Sequence, residues 1–176
     1  MKWRAWLAAS VAIIGAAACA NSPKPLTAAE IQATFAALHE ADYPDEHFSV
    51  QQSAVTPDGD GGRFTAVIGV QDPSADGKGM IVGFWHNSTF VGLGQDVMVL
   101  ALNRVRSDGP GRFTAFYVNY RDSDPLCCPS GVPALLPIEY RWNGKRFVPS
   151  RPLPENLYRT GAEHVVVPAR GKINTK

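Results

Sequence analysis

The chain has 176 residues, 45% hydrophobic and 19% charged, with 17 Lys+Arg set against 16 Asp+Glu. A balance so close to neutral, with no stripe of Lys or Arg, excludes a surface built to displace counterions from nucleic acid. The length suits one domain with a sound core, and 14 prolines with 16 glycines point to a turn-rich fold.

The N-terminus carries an export pattern. Lys2 and Arg4 precede an apolar run from Leu7 to Ala18, and no acidic residue occurs before Glu30, as in a removable signal. The run is shorter than the ~20 residues that span a bilayer. Ala16-Ala17-Ala18 stands directly before Cys19, which resembles a bacterial lipobox, cleaved before a cysteine that is linked to diacylglycerol and then acylated. Ala16 stands where Leu is commonest, and plain secretory cleavage after Ala18 or Ala20 is the alternative reading. Residues 1–18 are therefore expected as a lipoprotein signal peptide, and residues 19–26 as the lipidated Cys19 and a short tether stiffened by Pro23 and Pro25. Ala20 is not the aspartate that retains lipoproteins at the inner membrane. The expected address is the extracytoplasmic side of the envelope: the outer membrane in a Gram-negative cell, the cell membrane otherwise.

Residues 27–150 read as one α+β domain. Thr27-Ala28-Ala29-Glu30 is a capping box, Leu26 can staple onto Ile31, and Ile31, Phe35 and Leu38 form one apolar stripe. This predicts a helix ending near Ala41. Strands follow at His47–Ser53, Arg63–Val70, Met80–Trp85, Val97–Val105 and Arg112–Tyr120, separated by turns such as the loop from Thr56 to Gly62. Connections this short cannot hold crossover helices, so the sheet should be antiparallel. Leu136–Trp142, then Asn143-Gly144, then Lys145–Val148 reads as a hairpin, with Pro137 at an edge or bulge. The expected fold is an N-terminal helix packed on a curved, mainly antiparallel sheet of about six or seven strands. Residues 151–176 read as a Pro-rich, then basic, loosely attached tail with one strand at His164–Val167.

One local motif stands out: Asp122-Ser123-Asp124-Pro125-Leu126-Cys127-Cys128-Pro129-Ser130-Gly131. Together with Gly83-Phe84-Trp85-His86-Asn87, Phe90-Val91-Gly92, Tyr117-Val118-Asn119-Tyr120 and Arg141-Trp142-Asn143-Gly144-Lys145-Arg146-Phe147-Val148-Pro149, it resembles the LppP/LprE family of actinobacterial lipoproteins over roughly half of the chain. The resemblance implies an envelope lipoprotein and brings no catalytic residues with it. Members of that family carry further cysteines upstream that could pair with the twin, whereas here the only other cysteine is Cys19.

Cys127 and Cys128 therefore pair with each other as a vicinal disulfide, stay reduced, or bridge to another molecule. Three roles follow for them: shaping the loop, thiol-redox chemistry, or metal binding. Redox chemistry of the thioredoxin type needs Cys-x-x-Cys in a βαβ setting. On an extended segment the two side chains point to opposite faces, which does not suit one zinc. Asp58-Gly59-Asp60-Gly61 starts like a calcium loop but lacks its later ligands, and reads as a turn. His39 is expected at the exposed helix end, His47 at a strand start, His86 in a hairpin turn and His164 in the tail. No nucleophile, zinc or nucleotide motif is present, and no metal or cofactor is expected. Phe84, Trp85, Phe90, Tyr117 and Trp142 read as core rather than as a ligand-facing surface. The favoured function is a non-catalytic envelope module that binds or displays, held to the membrane by its lipid, with an unidentified protein or envelope component as partner and no nucleic acid. The alternative is an exported thiol-redox protein or enzyme using Cys127 and Cys128.

Overall fold

The computed structural model describes residues 24–40, 45–72, 79–125, 127–158 and 164–167. The expected signal peptide (residues 1–18), Cys19 and the basic end of the expected tail lie outside them. No helix among the described residues is long and apolar enough to cross a membrane.

Helix α1 (Ala28–Ala36) begins where the capping box places it. Thr27 accepts the Glu30 amide at 3.2 Å, and the Glu30 carboxylate accepts the Thr27 amide at 2.9 Å. Lys24 adds an ion pair to Glu30 at 2.7 Å; with the Thr27 hydrogen bonds, it pulls the Glu30 carboxyl down to about 2. The helix stops earlier than the predicted Ala41. After the C-cap Ala37 the chain leaves helical geometry to form β1 (His39–Glu40), which pairs with β10 (Val165–Val166). Leu38, just beyond the helix, is still fully buried. His39 thus sits on this ladder rather than at a helix end.

In place of one curved sheet of six or seven strands, the described residues form two four-stranded antiparallel sheets and the β1–β10 ladder. The first sheet is a meander of β2 (His47–Pro57), β3 (Arg63–Asp72), β4 (Met80–His86) and β5 (Thr89–Leu93); the second is β6 (Leu102–Gly109), β7 (Arg112–Val118), β8 (Leu135–Trp142) and β9 (Phe147–Pro149). The division falls within the predicted strand Val97–Val105. Its first half makes only single bridges, Val97 to His164 and Val99 to Met80 and Tyr158, and the regular ladder of the second sheet begins at Leu102. Strand β5 is an element the patterning does not single out; it follows the tight turn Asn87-Ser88, where Asn87 takes φ 54°.

The sheets pack through Phe64, Ala66, Ile68, Val82 and Phe84 on one side and Val105, Phe113, Ala115, Tyr117 and Ile138 on the other. The opposite face of the first sheet, at Val67, Ile81 and Trp85, meets Phe35 and Leu38. The α+β architecture is therefore helix on sheet on sheet. Both faces of β3 and β4 are covered, which is why the positions between the inward ones are also apolar. Gly69 lets the helix dock: a Cβ there would stand 2.6 Å from the Phe35 ring.

The Asn143-Gly144 turn closes as a four-residue loop, with Asn143 Oδ1 accepting the amides of Lys145 and Arg146 at 3.0 and 2.9 Å. Strand β9 consequently starts at Phe147 rather than Lys145. Strand β9 pairs only with positions 140–142 of β8, so Pro137 lies on the uncovered edge, where a missing N–H costs no ladder bond. Residues 151–158 are held more closely than the expected loose tail, because Leu153 and Leu157 enter the main core.

Candidate functional site: the twin-cysteine loop and its groove

Between β7 and β8 the chain makes a long loop whose ends are tied to each other. Asn119 donates its amide to the Ala134 carbonyl at 3.0 Å, and Gly131 donates its amide to Asn119 O at 3.1 Å. The requirement for glycine at 131 is one of close approach, since a Cβ there would be driven into the Asn119 carbonyl oxygen and side chain.

Asp124 is the internal clasp. Its Oδ2 accepts the backbone amides of Arg121 at 2.7 Å and Ser130 at 2.6 Å, and its Oδ1 accepts the Ser130 hydroxyl. These hydrogen bonds, the Arg121 amide foremost, hold its carboxyl below the usual carboxylate range. They also shape the turn that carries the cysteines, where the Cys128 amide meets Pro125 O at 2.9 Å. Cys127 and Cys128 are both exposed. The structure brings their sulfurs together, with Cα atoms 3.8 Å apart.

A polar groove of about 400 Å³ lies beside this loop, lined among others by Arg121, Asp122, Asp124, Glu155, Asn156 and Tyr158. Asn156, on a short 3-10 turn (Glu155–Leu157), donates to the Tyr120 carbonyl and to Asn119 Oδ1, stitching the far wall to the loop. Partial burial, with the nearby Asp96 charge second, raises the Tyr158 hydroxyl above its ordinary value. Among the described residues neither cysteine lines the groove, and its lining holds no His or Lys. Among the described residues no group of three or more His, Cys, Asp or Glu side chains is placed to hold a metal.

The clasp is testable. Asp124→Ala should leave the domain folded but speed amide exchange at Arg121 and Ser130 and expose the bonds around Cys127 to protease. Because the folded carboxyl is depressed, its contribution is present above the ordinary carboxylate range and is lost as pH falls through the lowered value. Protection of the Ser130 amide, taken relative to the intrinsic exchange rate at each pH, should therefore hold down to the ordinary carboxylate range and fall only in stronger acid. Unchanged exchange in Asp124→Ala would show that the loop is held otherwise.

The other sequence candidates fall elsewhere. Asp58 closes its own turn, accepting the Asp60 and Gly62 amides at 2.8 and 2.9 Å, and its second oxygen meets His86 Nε2 at 2.8 Å. With both oxygens occupied it is a turn-former; the His86 hydrogen bond chiefly lowers its pKa. His86, at the end of β4, also stacks on Phe64 at 4.5 Å. His47 opens β2, and His164 stands 3.4 Å from Asp96. Phe84, Trp85 and Tyr117 are buried, while Phe90 and Trp142 are half-buried.

Two polar features have no sequence signature. Tyr117 and Tyr140 join hydroxyls at 2.6 Å in the core, where burial pushes both well above the ordinary tyrosine value. Gln95 Oε1 accepts from Tyr117 at 3.4 Å, and Gln95 Nε2 is buried without a hydrogen-bond partner among the described residues. Comparison of the chain with protein-family models, curated proteins and solved structures gives no match.

Proposed function

We propose that this chain is an exported lipoprotein, tethered by acylated Cys19 to the extracytoplasmic face of the envelope, where its domain acts as a non-catalytic binding or display module. The LppP/LprE-like motifs support an envelope lipoprotein, and the Ala16-Ala17-Ala18-Cys19 pattern supports the tether. The observation that carries the binding reading is the groove beside the twin-cysteine loop. Asp122, Asp124 and Glu155 line it with Arg121 and Asn156, the Asp124 carboxylate being already engaged within the loop, and no nucleophile stands beside a base among them. Such an array suits holding a polar ligand more than transforming one.

The thiol-redox reading is favoured by one observation, the exposure of both Cys127 and Cys128. Intact mass after alkylation without reductant separates the two. No adduct is expected even under denaturant, because export favours oxidation and the twin has no other partner within the chain. Cys127→Ser/Cys128→Ser should cost only about 1–3 kcal/mol of stability, since a loop this short gains little from closure, and should leave the domain folded. Two adducts, or a folded double mutant that loses its cellular phenotype, would favour redox chemistry over the binding reading.

A further inference from the structure

The two sheets differ in what lies on their outer faces. Helix α1 covers that of the first sheet, where Phe35 and Leu38 meet Val67, Ile81 and Trp85. On the second sheet Val105, Phe113, Ala115, Ile138 and Tyr140 belong to the core between the sheets. Strand alternation therefore turns Arg104, Arg106, Arg112, Phe116, Glu139 and Arg141 to the outer face. All four of these arginines are exposed. They form no run in the sequence, and only the register of β6, β7 and β8 gathers them.

The side chains on this face are arranged for an anion. Arg104 and Arg106 lay their guanidinium groups over the Phe116 ring, 4.4 and 5.3 Å from its centre. Stacking of this kind holds the planar fork in place and leaves its N–H groups at the rim. Arg106 pairs with Asp108 at 2.8 Å and Arg141 with Glu139 at 2.8 Å, but Arg104 has no ion pair among the described residues. Arg112 stands opposite Arg141 in the β7–β8 ladder, and facing like charges cost stability unless an anion lies between them. Glu139 is already held by two nitrogens of Arg141. The four arginines outnumber the two carboxylates on a chain that is close to neutral. Arg151, whose guanidinium meets Pro137 O at 3.4 Å, adds a further charge at the edge.

We propose that this arginine face is a second binding surface, separate from the groove at the twin-cysteine loop, and that it receives a linear acidic polysaccharide, a chain of sugars bearing carboxylates. The carboxylates take the forks of Arg104 and of the Arg112 and Arg141 pair, in the bidentate geometry that arginine offers. Sugar hydroxyls donate to Asp108 and Glu139, whose oxygens keep acceptor positions beyond those already filled. This mixture of donors and acceptors does not suit a phosphodiester strand, whose dense negative charge the two carboxylates repel. A bilayer is disfavoured by placement. The segment that leads from Cys19 enters at α1, on the far side of the first sheet, so the arginine face belongs to the layer most distant from that helix.

The test titrates the full chain, in mild detergent, against a fluorescent decamer of galacturonic acid, with its methyl ester as the uncharged control. Saturable binding that weakens with added salt is expected for the acid, and binding at least about tenfold weaker for the ester. Arg104→Gln and Arg112→Gln should each weaken binding by about threefold or more, and together by about tenfold or more, without lowering the melting temperature. Arg104→Lys keeps the charge but loses the stacked fork, and should bind less tightly than the wild type. Arg63→Gln, on β3 of the first sheet, should change nothing. Absence of saturation, equal binding of the ester, or an equal loss in Arg63→Gln overturns the proposal. So does displacement of the decamer by an equal charge of short-chain phosphatidylglycerol, because the face then suits a bilayer.

Discussion

Phe84→Ala is expected to lower the free energy of unfolding by about 3–5 kcal/mol, enough to threaten a domain of ordinary stability. The ring comes from β4 of the first sheet and is 1% exposed. It stacks on Phe147 at 4.5 Å and lies against Tyr140 at 5.3 Å and Phe113 at 5.8 Å, all from the second sheet. Removing it therefore takes out one of the central contacts between the sheets, and the strands around it cannot fully collapse to refill the space. Val55→Ala is the matched control. Val55 is 54% exposed on β2, and its truncation should change stability by no more than about 0.5 kcal/mol. Urea denaturation of the two variants measures both values. A loss below about 1 kcal/mol for Phe84→Ala would mean that the sheets do not pack through this ring.

Why two sheets rather than one is a matter of information the sequence carries only in part. Alternation announces a strand and its facing residues, and Phe64, Ala66 and Ile68 do turn to one side as their spacing says. The same pattern cannot say whether the other side meets solvent, a helix or nothing. In β3 and β4 the other side meets Phe35 and Leu38, so Val67 and Ile81 are buried as well, and the alternation is blurred. The break between sheets is harder still. Val97, Val99 and Leu102 look like one apolar strand, yet Val99 bridges Met80 and Tyr158, partners 19 and 59 residues away. Only tertiary pairing shows that the chain crosses from one sheet to the other here. Leu153 and Leu157 were hidden by their prolines, which mark irregular backbone but say nothing about burial.

The helix start, by contrast, is local chemistry, and Thr27 and Glu30 specify it completely. The site divides in the same way. The twin cysteines and the exposed loop around them are visible as a composition anomaly, and the turn role of Asp58 follows from Asp and Gly spacing. Asp124 as the clasp needs knowledge that Ser130 folds back over it. The partnership of Asp58 with His86 needs the register that sets Phe64 opposite His86, which brings the 58–62 turn beside the end of β4. Asn156 and Gln95 carry no signal at all, since an isolated amide side chain in a turn is normally solvated.

Cys19→Ala is expected to have the largest effect on where the protein resides. If the lipid on Cys19 is the anchor, the alanine variant offers no thiol for diacylglycerol transfer, and the lipoprotein peptidase, which requires the modified cysteine, leaves the precursor uncut. The difference is close to all-or-none. Each buried methylene of an acyl chain contributes about 0.8 kcal/mol, and two or more chains give stable anchoring where one gives only reversible binding. The six residues from Ala20 to Pro25 are too few and too polar to replace it. Growth with a radioactive fatty acid should label the wild-type band and not the Cys19→Ala band, and the variant should accumulate at precursor mass. The rival secretory cleavage after Ala18 or Ala20 makes the opposite prediction: normal processing of the variant and an unlabelled wild type. An unlabelled wild type would remove the membrane from the proposed function while leaving the groove beside the twin-cysteine loop to be tested on a freely diffusing protein.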